Sequence, residues 1–339
     1  MSNIKILATL GPSSLKEGVI QDMARAGVTL FRINLSHTRL EDLEACISFI
    51  RSCTDVPICL DSEGAQIRTQ GLAEGAVDLG SGSEIQLHFD EVKGDRDNLS
   101  FHPRGIAREF QPGDLIDIDF HGVQLKVTSV SDSHCLARVE KGGKMGENKA
   151  VALNRPVPLS ALTEKDIGAI EIGKRLGIDH FALSFANSAE DVDEFRKHIG
   201  EKPFLITKIE SIRGIQNLRA ITDRADAILI DRGDLSREAP IEKIPFFQRR
   251  IISSVRSRSK PVYVATNLLE SMIDSHQPTR AEVNDVVSTL EMGAIGLVLA
   301  AETAIGDHPV GSVSIIGQLI RNFERWTPNT SFAELLEDN

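Results

Sequence analysis

The chain has 339 residues, 41% of them hydrophobic, and a net charge of −11. The length and apolar content suit a globular protein with one large and one smaller domain. The negative net charge excludes a broad nucleic-acid-binding surface. Its four cysteines show neither the spacing of a zinc site nor the density of a disulfide scaffold, and no apolar window approaches the length needed to cross a bilayer. We therefore expect an unprocessed cytoplasmic protein with no nucleic-acid or membrane partner.

Short apolar runs rich in β-branched residues recur along the chain, and helical periodicity follows nearly all of them. The predicted strands lie at 4–10, 28–35, 56–62, 180–185, 203–210, 225–232, 261–266 and 294–302. Helices are predicted between them, for example at 15–27, 39–52, 163–177 and 279–293. Strands buried on both faces and alternating with helices favour a parallel (β/α)8 barrel, with a doubly wound open sheet as the main alternative.

The alternation of strands and helices is interrupted between residues 70 and 155. Segments such as 84–89, 123–130 and 134–141 alternate between apolar and polar residues, which is typical of antiparallel strands. We interpret residues 70–155 as an inserted β domain, and this leaves 1–69 and 156–339 for the main domain. The remainder is close to the roughly 250 residues typical of a (β/α)8 barrel, which favours the closed barrel over the open sheet.

Polar residues end nearly all of the predicted barrel strands. In a (β/α)8 barrel the active site lies at the carboxyl ends of the strands, so these residues are the informative ones. They are Arg32, Asn34, Ser36, Asp61, Lys208, Glu210, Asp231, Arg232, Asp234, Thr266 and Glu302. A single residue of this kind is more often a solvated loop group or a helix cap, but so many together indicate a site.

Lys208 and Glu210 are two residues apart in a predicted strand, so their side chains point to the same face. Because neighbouring strands lie about 4.8 Å apart, Glu210 is expected to share a site with Asp234, just past the next strand. Two converging carboxylates repel unless a proton or a cation lies between them, and an oxygen-only pair suits Mg²⁺ or Mn²⁺. A structural ion-pair network is the alternative interpretation.

Three basic residues are expected near this metal site, namely Lys208, Arg32 and Arg68, and together they are typical of a clamp for phosphate or carboxylate. Gly233 lies in a predicted turn where backbone N–H groups have room to approach an anion. His37 is either a nucleotide contact or a helix-cap histidine.

Several motifs follow one another in the order found in pyruvate kinases. They include KILATLGPSS, FRINLSH, LDSEGAQIRT, TKIES, DRGDL, PTRAE and AAETA, and the resemblance runs from Ile4 to about Ile320. The resemblance implies a (β/α)8 TIM barrel that is interrupted after strand three by a small β-barrel lid domain.

The resemblance also implies roles for individual residues. The position of Lys208 lies beside the transferring phosphoryl group, Glu210 and Asp234 match the ligands of the divalent metal, and Thr266 matches a threonine near the substrate carboxylate. Arg32 and Arg68 match phosphate contacts, and Glu302 matches a glutamate near the water that is linked to enolate protonation. The monovalent-cation site, which holds K⁺ in the family, matches Asn34, Ser36, Asp61 and Ser62.

Departures from the family pattern concern the cations and the lid. Asp231 stands where alanine is usual, and Gln66 replaces a glutamate that the family ties to potassium use. In the inserted domain Lys149 matches the nucleotide-contacting lysine, but the sequence NKAVALNR replaces the usual signature around it. These departures bear on the nucleotide and on lid closure more than on the metal and enolate centre.

The resemblance leads to three functional hypotheses. The first is a pyruvate kinase-like phosphotransferase that moves a phosphoryl group between phosphoenolpyruvate and a nucleoside diphosphate such as ADP, with pyruvate and ATP on the other side. The second is a metal-dependent lyase or transferase that passes a pyruvate enolate to another acceptor, and the third is a phosphoenolpyruvate-sensing pseudoenzyme. The chain ends just after the predicted barrel, so we expect the family's C-terminal regulatory domain to be missing, and a homodimer through barrel helices is compatible with the sequence.

Overall fold

The computed structural model describes residues 4–119, 122–155 and 157–336. The chain divides into two compact units, one built from Met1–Gly64 and Glu164–Asn339 and the other from Ala65–Thr163.

The strands in chain order are β1 (Lys5–Thr9), β2 (Leu30–Asn34), β3 (Ile58–Asp61), β4 (Ile67–Thr69), β5 (Ala76–Leu79), β6 (Glu84–His88), β7 (Asn98–His102), β8 (Leu115–Ile118), β9 (Val123–Val130), β10 (His134–Lys141), β11 (Gly143–Gly146), β12 (Ala150–Leu153), β13 (His180–Leu183), β14 (Phe204–Ile209), β15 (Ala227–Asp231), β16 (Val262–Ala265) and β17 (Gly296–Leu299).

The α-helices in chain order are α1 (Glu17–Ala26), α2 (Leu40–Cys53), α3 (Glu164–Arg175), α4 (Ala189–Ile199), α5 (Ile212–Gln216), α6 (Leu218–Arg224), α7 (Arg232–Glu238), α8 (Ile244–Arg256), α9 (Arg280–Glu291), α10 (Ala301–Ala304), α11 (Pro309–Arg325) and α12 (Phe332–Leu336). Short 3-10 turns lie at Ile106–Glu109, Ile241–Lys243 and Glu270–Ile273.

The first unit contains a closed barrel of eight strands in the order β1-β17-β16-β15-β14-β13-β3-β2. All of its strand pairs are parallel, for example β14 with β15 and β1 with β17. Apolar side chains such as Leu7, Ile206, Leu229 and Val298 fill its interior. The (β/α)8 barrel predicted from the sequence is thus confirmed, and the open sheet is excluded because β1 pairs with both β2 and β17.

Local sequence signals set several helix ends of this barrel. Gly27 ends α1 in the left-handed conformation, with φ 113°, which a side chain would strain. Thr279 begins α9 with a capping box, in which its hydroxyl accepts from the Glu282 N–H at 3.2 Å and the Glu282 carboxylate accepts from the Thr279 N–H at 2.7 Å.

Two of the predicted strands run past the end of the observed strand into a short helix. The eighth was predicted to run to residue 302, but β17 ends at Leu299 and Glu302 lies in the short helix α10. The sixth was predicted to include Arg232, which instead begins α7. In both places the chain turns directly from a strand into a short helix, and an apolar run does not reveal where that turn occurs.

The second unit contains a closed barrel of seven strands in the order β10-β6-β7-β4-β12-β8-β9, together with a separate pair formed by β11 and β5. The pairs are antiparallel except for β6 with β7. Its core is built from inward-facing residues such as Leu87, Phe101, Leu125 and Val139. The predicted insertion of a small β-barrel after the third barrel strand is confirmed.

Candidate active site

The candidate site begins with the alternation of side chains along β14. Phe204 and Ile206 pack with the residues that fill the barrel interior, and Lys208 is the next residue on the same face. Lys208 is 5% exposed, and Glu210, just past the end of the strand, is 1% exposed. The strand therefore places an ammonium group and a carboxylate in a buried position at the carboxyl end of the barrel.

The Lys208 ammonium group is surrounded by acceptors at the ends of its own strand β14 and of β3, β13 and β15. Its Nζ lies 2.9 Å from Glu210 Oε1, 3.4 Å from Asp61 Oδ2 and 3.7 Å from Asp231 Oδ2, and it donates to Ser184 Oγ at 3.1 Å. Burial by itself lowers the pKa of Lys208, but the surrounding carboxylates more than offset this and raise the pKa above its ordinary value. The surrounding carboxylates therefore favour the charged form of Lys208.

Arg32 provides a second buried cation next to Lys208. Its Nη1 donates to Asp61 Oδ2 at 2.8 Å, and its Nε donates to the Thr9 hydroxyl at 2.8 Å. The Ser184 hydroxyl donates to Asp61 Oδ1 at 3.2 Å. Asp61 thus links the Arg32 guanidinium to the Lys208 ammonium group. The sequence analysis did not select Thr9 or Ser184. Ser184 follows an apolar run, so the rule that selected the other strand-end residues would have found it.

Three carboxylates meet beside Lys208. Among the described residues, Glu210, Asp231 and Asp234 form the group that could hold a metal ion, with one oxygen of each lying within 4.8 Å of the others. Glu210 Oε2 accepts from the Phe185 N–H at 2.6 Å, whereas Oε1 is buried and has no partner with hydrogen-bond geometry. An oxygen-only set with a buried, incompletely satisfied carboxylate fits Mg²⁺ or Mn²⁺.

Mutual repulsion and burial shift the pKa values of these carboxyl groups. Burial raises the pKa of Glu210 well above its ordinary range, and Asp234 and Asp231 add to the effect, while Lys208 opposes it. Burial and Asp231 also raise the pKa of Asp234, although Arg237 Nη1 lies 2.9 Å from its Oδ1. The pKa of Asp231 is lowered, because Lys208 and its other donors outweigh its burial. Either a proton or a cation is therefore favoured at Glu210.

Thr266 lies at the end of β16, beside the carboxylates. Its hydroxyl donates to Asp231 Oδ1 at 2.6 Å. Its φ of 76° is rare for a β-branched residue, and Arg232 holds the strained backbone by donating from Nε at 3.1 Å and from Nη2 at 2.6 Å to the Thr266 carbonyl. A Cβ atom at Gly233 would lie 2.7 Å from Thr266 Cγ2, so this close approach requires glycine.

Glu302 is buried behind the end of β17. Its carboxylate accepts from the Leu269 N–H at 3.1 Å and from the Ala300 N–H at 2.8 Å. The hydrogen bond from Leu269 ties α10 to the segment that follows β16, and the bond from Ala300 is local to the start of α10. A role in proton transfer stays a prediction.

The predicted monovalent-cation residues lie at the ends of β2 and β3, where Asn34 pairs with Asp61 in register. Asn34 Oδ1 accepts from the Ser36 N–H at 3.0 Å, and Ser62 Oγ accepts from the Ser184 N–H at 3.0 Å. His37 follows in the same turn, where its N–H donates to the Asn34 carbonyl at 3.1 Å.

Arg68 and Lys149 belong to the second unit. Arg68 Nη1 donates to the Asn148 carbonyl at 2.8 Å, and Lys149 Nζ lies 3.1 Å from Asp119 Oδ2. Their predicted roles as phosphate and nucleotide contacts stay predictions.

Among the residues that the structure describes, no helix has both the length and the apolar character of a membrane span.

Comparison with known proteins agrees with this fold. The family model "Pyruvate kinase, barrel domain" matches residues 1–313. Similar relatives include a pyruvate kinase of Methylorubrum extorquens, 38% identical over 327 residues that cover 95% of this chain and 68% of the relative. A pyruvate kinase of Mycobacterium tuberculosis is 34% identical over 325 residues, covering 93% of this chain and 69% of the relative. One of Thermotoga maritima is 34% identical over 335 residues, covering 96% and 72%. The chain belongs to the pyruvate kinase family.

Proposed function

We propose that this protein is a pyruvate kinase-like phosphotransferase that moves a phosphoryl group between phosphoenolpyruvate and a nucleoside diphosphate. The observation that carries the proposal is the buried Lys208 ammonium group, 2.9 Å from Glu210 and within reach of Asp61 and Asp231. The match to the barrel domain of pyruvate kinase supports it.

Two fixed positive charges, Lys208 and Arg32, would stabilise the negative charge that develops on the phosphoryl oxygens and on the enolate oxygen of pyruvate. Both groups are held by hydrogen bonds before substrate arrives, so little reorganisation is needed during the reaction. Thr266, held in place by Arg232, would orient the three-carbon acid, and Glu302 would hold the water that protonates the enolate.

A divalent ion, Mg²⁺ or Mn²⁺, is proposed to bind at Glu210 and Asp234. When bound, it would supply positive charge to the substrate phosphate and to the enolate oxygen. The carboxylate oxygens within 4.8 Å of one another and the buried Oε1 of Glu210 support this assignment.

The proposed function also includes a monovalent-cation site, phosphate and nucleotide contacts, and a division of roles between the domains. Asn34, Ser36, Asp61 and Ser62 would hold a monovalent cation. Gly233 and Arg68 are proposed as phosphate contacts, and His37, Arg68 and Lys149 are proposed as nucleotide contacts. We assign catalysis to residues 1–69 and 156–339, and the lid to residues 70–155, of a cytoplasmic enzyme.

The test is a phosphoenolpyruvate-plus-ADP assay with Mg²⁺, run beside measurement of proton exchange at C3 of pyruvate in heavy water. Formation of ATP and pyruvate is the expected result. Exchange at C3 without nucleotide turnover would instead favour a lyase or transferase with a different acceptor. Absence of both reactions, with retained binding of phosphoenolpyruvate, would indicate a sensor.

A further inference from the structure

Asp231 is a buried carboxylate at the end of β15 that the proposed function does not use. It is 8% exposed, its Oδ1 accepts from the Thr266 hydroxyl at 2.6 Å, and its Oδ2 lies 3.7 Å from Lys208 Nζ. One of its oxygens lies within 4.8 Å of an oxygen of Glu210 and of one of Asp234. Asp231 therefore faces the same small space as the two proposed metal ligands.

Charge balance in this space is incomplete. Among the described contacts, Arg32 pairs with Asp61 at 2.8 Å and Arg237 with Asp234 at 2.9 Å. This leaves one ammonium group, Lys208, to balance the two carboxylates of Glu210 and Asp231. A buried carboxylate without a compensating charge is costly, so the site favours either a proton or an additional cation.

The geometry around the buried oxygen Glu210 Oε1 is consistent with a cation in this space. It has no partner with hydrogen-bond geometry, although Lys208 Nζ lies 2.9 Å away. A small divalent cation with ligands at about 2.1 Å accommodates oxygen ligands up to about 4.2 Å apart. The three carboxylates, with their oxygens within 4.8 Å of one another, need only a small inward movement to share one ion.

We propose that Asp231 is a third carboxylate ligand of the divalent cation, so that in this chain three acids rather than two hold the ion. The inference rests on the proposed function only in placing a metal at Glu210 and Asp234. A third anionic ligand tightens the binding of the free cation, because it adds attraction and occupies a coordination position that would otherwise hold water.

The test is titration of the full-length, substrate-free protein with Mn²⁺, in which free Mn²⁺ is followed by its electron paramagnetic resonance signal. Asp231→Asn keeps the size of the side chain and an oxygen that accepts from Thr266, but it removes the charge. We expect Asp231→Asn and Asp231→Ala to weaken Mn²⁺ binding by roughly 10- to 100-fold. Asp42→Asn, an equal charge change on the exposed face of α2, is the matched control and should bind Mn²⁺ like the wild type.

Thr266→Val separates ligation from support of the Thr266 side chain. It removes the hydroxyl that donates to Asp231 but leaves the carboxylate, so we expect Mn²⁺ affinity to change by less than about threefold. If Asp231 acted only through Thr266, this variant would lose as much affinity as Asp231→Asn, and that result would overturn the proposal.

A further variant distinguishes failure of this inference from failure of the proposed function. Asp234→Asn should lose Mn²⁺ affinity if the metal binds where the proposed function places it. Wild-type affinity in both Asp231 variants, together with a loss in Asp234→Asn, would overturn only the third ligand. Wild-type affinity in all of these variants would overturn the metal site itself.

Discussion

At the scale of single residues, the candidate site depends on the charge state of Lys208. Its ammonium group contacts Glu210, Asp61 and Asp231, and these carboxylates raise its pKa despite its burial. A group whose pKa is raised in the folded protein keeps its stabilising charge until the pH rises through that folded value. Deprotonation of Lys208 is therefore not expected to limit activity at neutral or moderately alkaline pH.

Replacement of this ammonium group is the direct test of its role. Lys208→Met should reduce phosphoryl transfer by roughly 100- to 1000-fold or more, because it removes a fixed cation from the position where negative charge develops. Mn²⁺ affinity should be nearly intact, because the carboxylates remain. Steady-state assays and Mn²⁺ titration measure the two quantities, with Lys197→Met on exposed α4 as the control. An equal loss of both would show that Lys208 supports the arrangement of the metal-binding carboxylates rather than stabilising the phosphoryl group.

Thr266 is the second feature at this scale, because its backbone is strained. A φ of 76° costs free energy in a β-branched residue and persists only where neighbours enforce it. Arg232 enforces it with two donors to the Thr266 carbonyl, and Asp285 Oδ2, at 2.5 Å, fixes the guanidinium in turn. The Arg232 guanidinium group thus positions the Thr266 hydroxyl.

A lysine side chain cannot reproduce the two planar donors that the Arg232 guanidinium directs at the Thr266 carbonyl. Arg232→Lys should lower kcat by roughly 10- to 100-fold, because small displacements of an orienting group have large effects on rate. Arg258→Lys, on the segment after α8, should leave kcat unchanged. If kcat of Arg232→Lys equalled that of the wild type, the strain at Thr266 would have no role in orienting substrate.

At the scale of elements, the loops after the barrel strands are held by helix caps. Glu282, in the first turn of α9, accepts from the Thr279 N–H at 2.7 Å and from the Ser271 N–H at 2.7 Å. A single carboxylate therefore caps a helix and fixes the segment that follows β16. Burial raises the pKa of Glu282, but the hydrogen bonds from Ser271 and Thr279 outweigh it, so the pKa is lowered below its ordinary value of 4.5.

The pKa shift of Glu282 predicts how its contribution to stability depends on pH. A carboxyl group with a lowered folded pKa stabilises the protein above its unfolded pKa, and this stabilisation is lost as the pH falls through the folded value. Glu282→Ala should lower the free energy of unfolding by about 1–3 kcal/mol at pH 7. Chemical denaturation at several pH values should show that the difference in unfolding free energy between wild type and Glu282→Ala shrinks as the pH falls below 4.5, the ordinary pKa of this carboxyl group.

A second acid on the same helix is the control for this prediction. Glu291→Ala, at the exposed end of α9, should change the free energy of unfolding by less than about 0.5 kcal/mol. A pH-independent loss in Glu282→Ala would mean that its packing, and not its charge, supports α9.

At the scale of the whole molecule, closure of the eight-stranded barrel brings the site residues together. The ends of β2, β3, β13, β14, β15 and β16 are far apart in the chain but consecutive in the barrel order. This gathering concentrates carboxylates in a buried space, so the folded protein without a cation carries electrostatic repulsion. A cation that binds the folded chain alone should therefore stabilise the molecule.

The corresponding measurement is thermal unfolding with and without a divalent ion. Mg²⁺ or Mn²⁺ at about 100 times Kd should stabilise the folded state by about 2.7 kcal/mol and raise Tm. The shift should disappear in Glu210→Gln. An equal shift in wild type and Glu210→Gln would place the ion elsewhere.

The sequence by itself determined the architecture. The period of the apolar residues, the glycine and capping signals at helix ends, and the alternating segments in 70–155 depend on local physics, and they predicted both barrels. The rule that polar residues end apolar runs selected most of the site, including Lys208, Glu210 and Thr266. Strand ends near Glu302 and Arg232 were predicted too long, because short-range patterns do not reveal where a strand turns into a short helix.

Only the tertiary structure decided how the selected residues share their partners. Asp61 and Asp231 were predicted as strand-end residues, but the sequence could not show that Asp61 joins Arg32 to Lys208, or that Asp231 faces Glu210 and accepts from Thr266. These contacts join strands separated by long stretches of chain, and they depend on barrel register and side-chain direction to within about 1 Å. Periodicity assigns a residue to a face, whereas the charge balance of a buried site is set by distances that exist only once the barrel has closed.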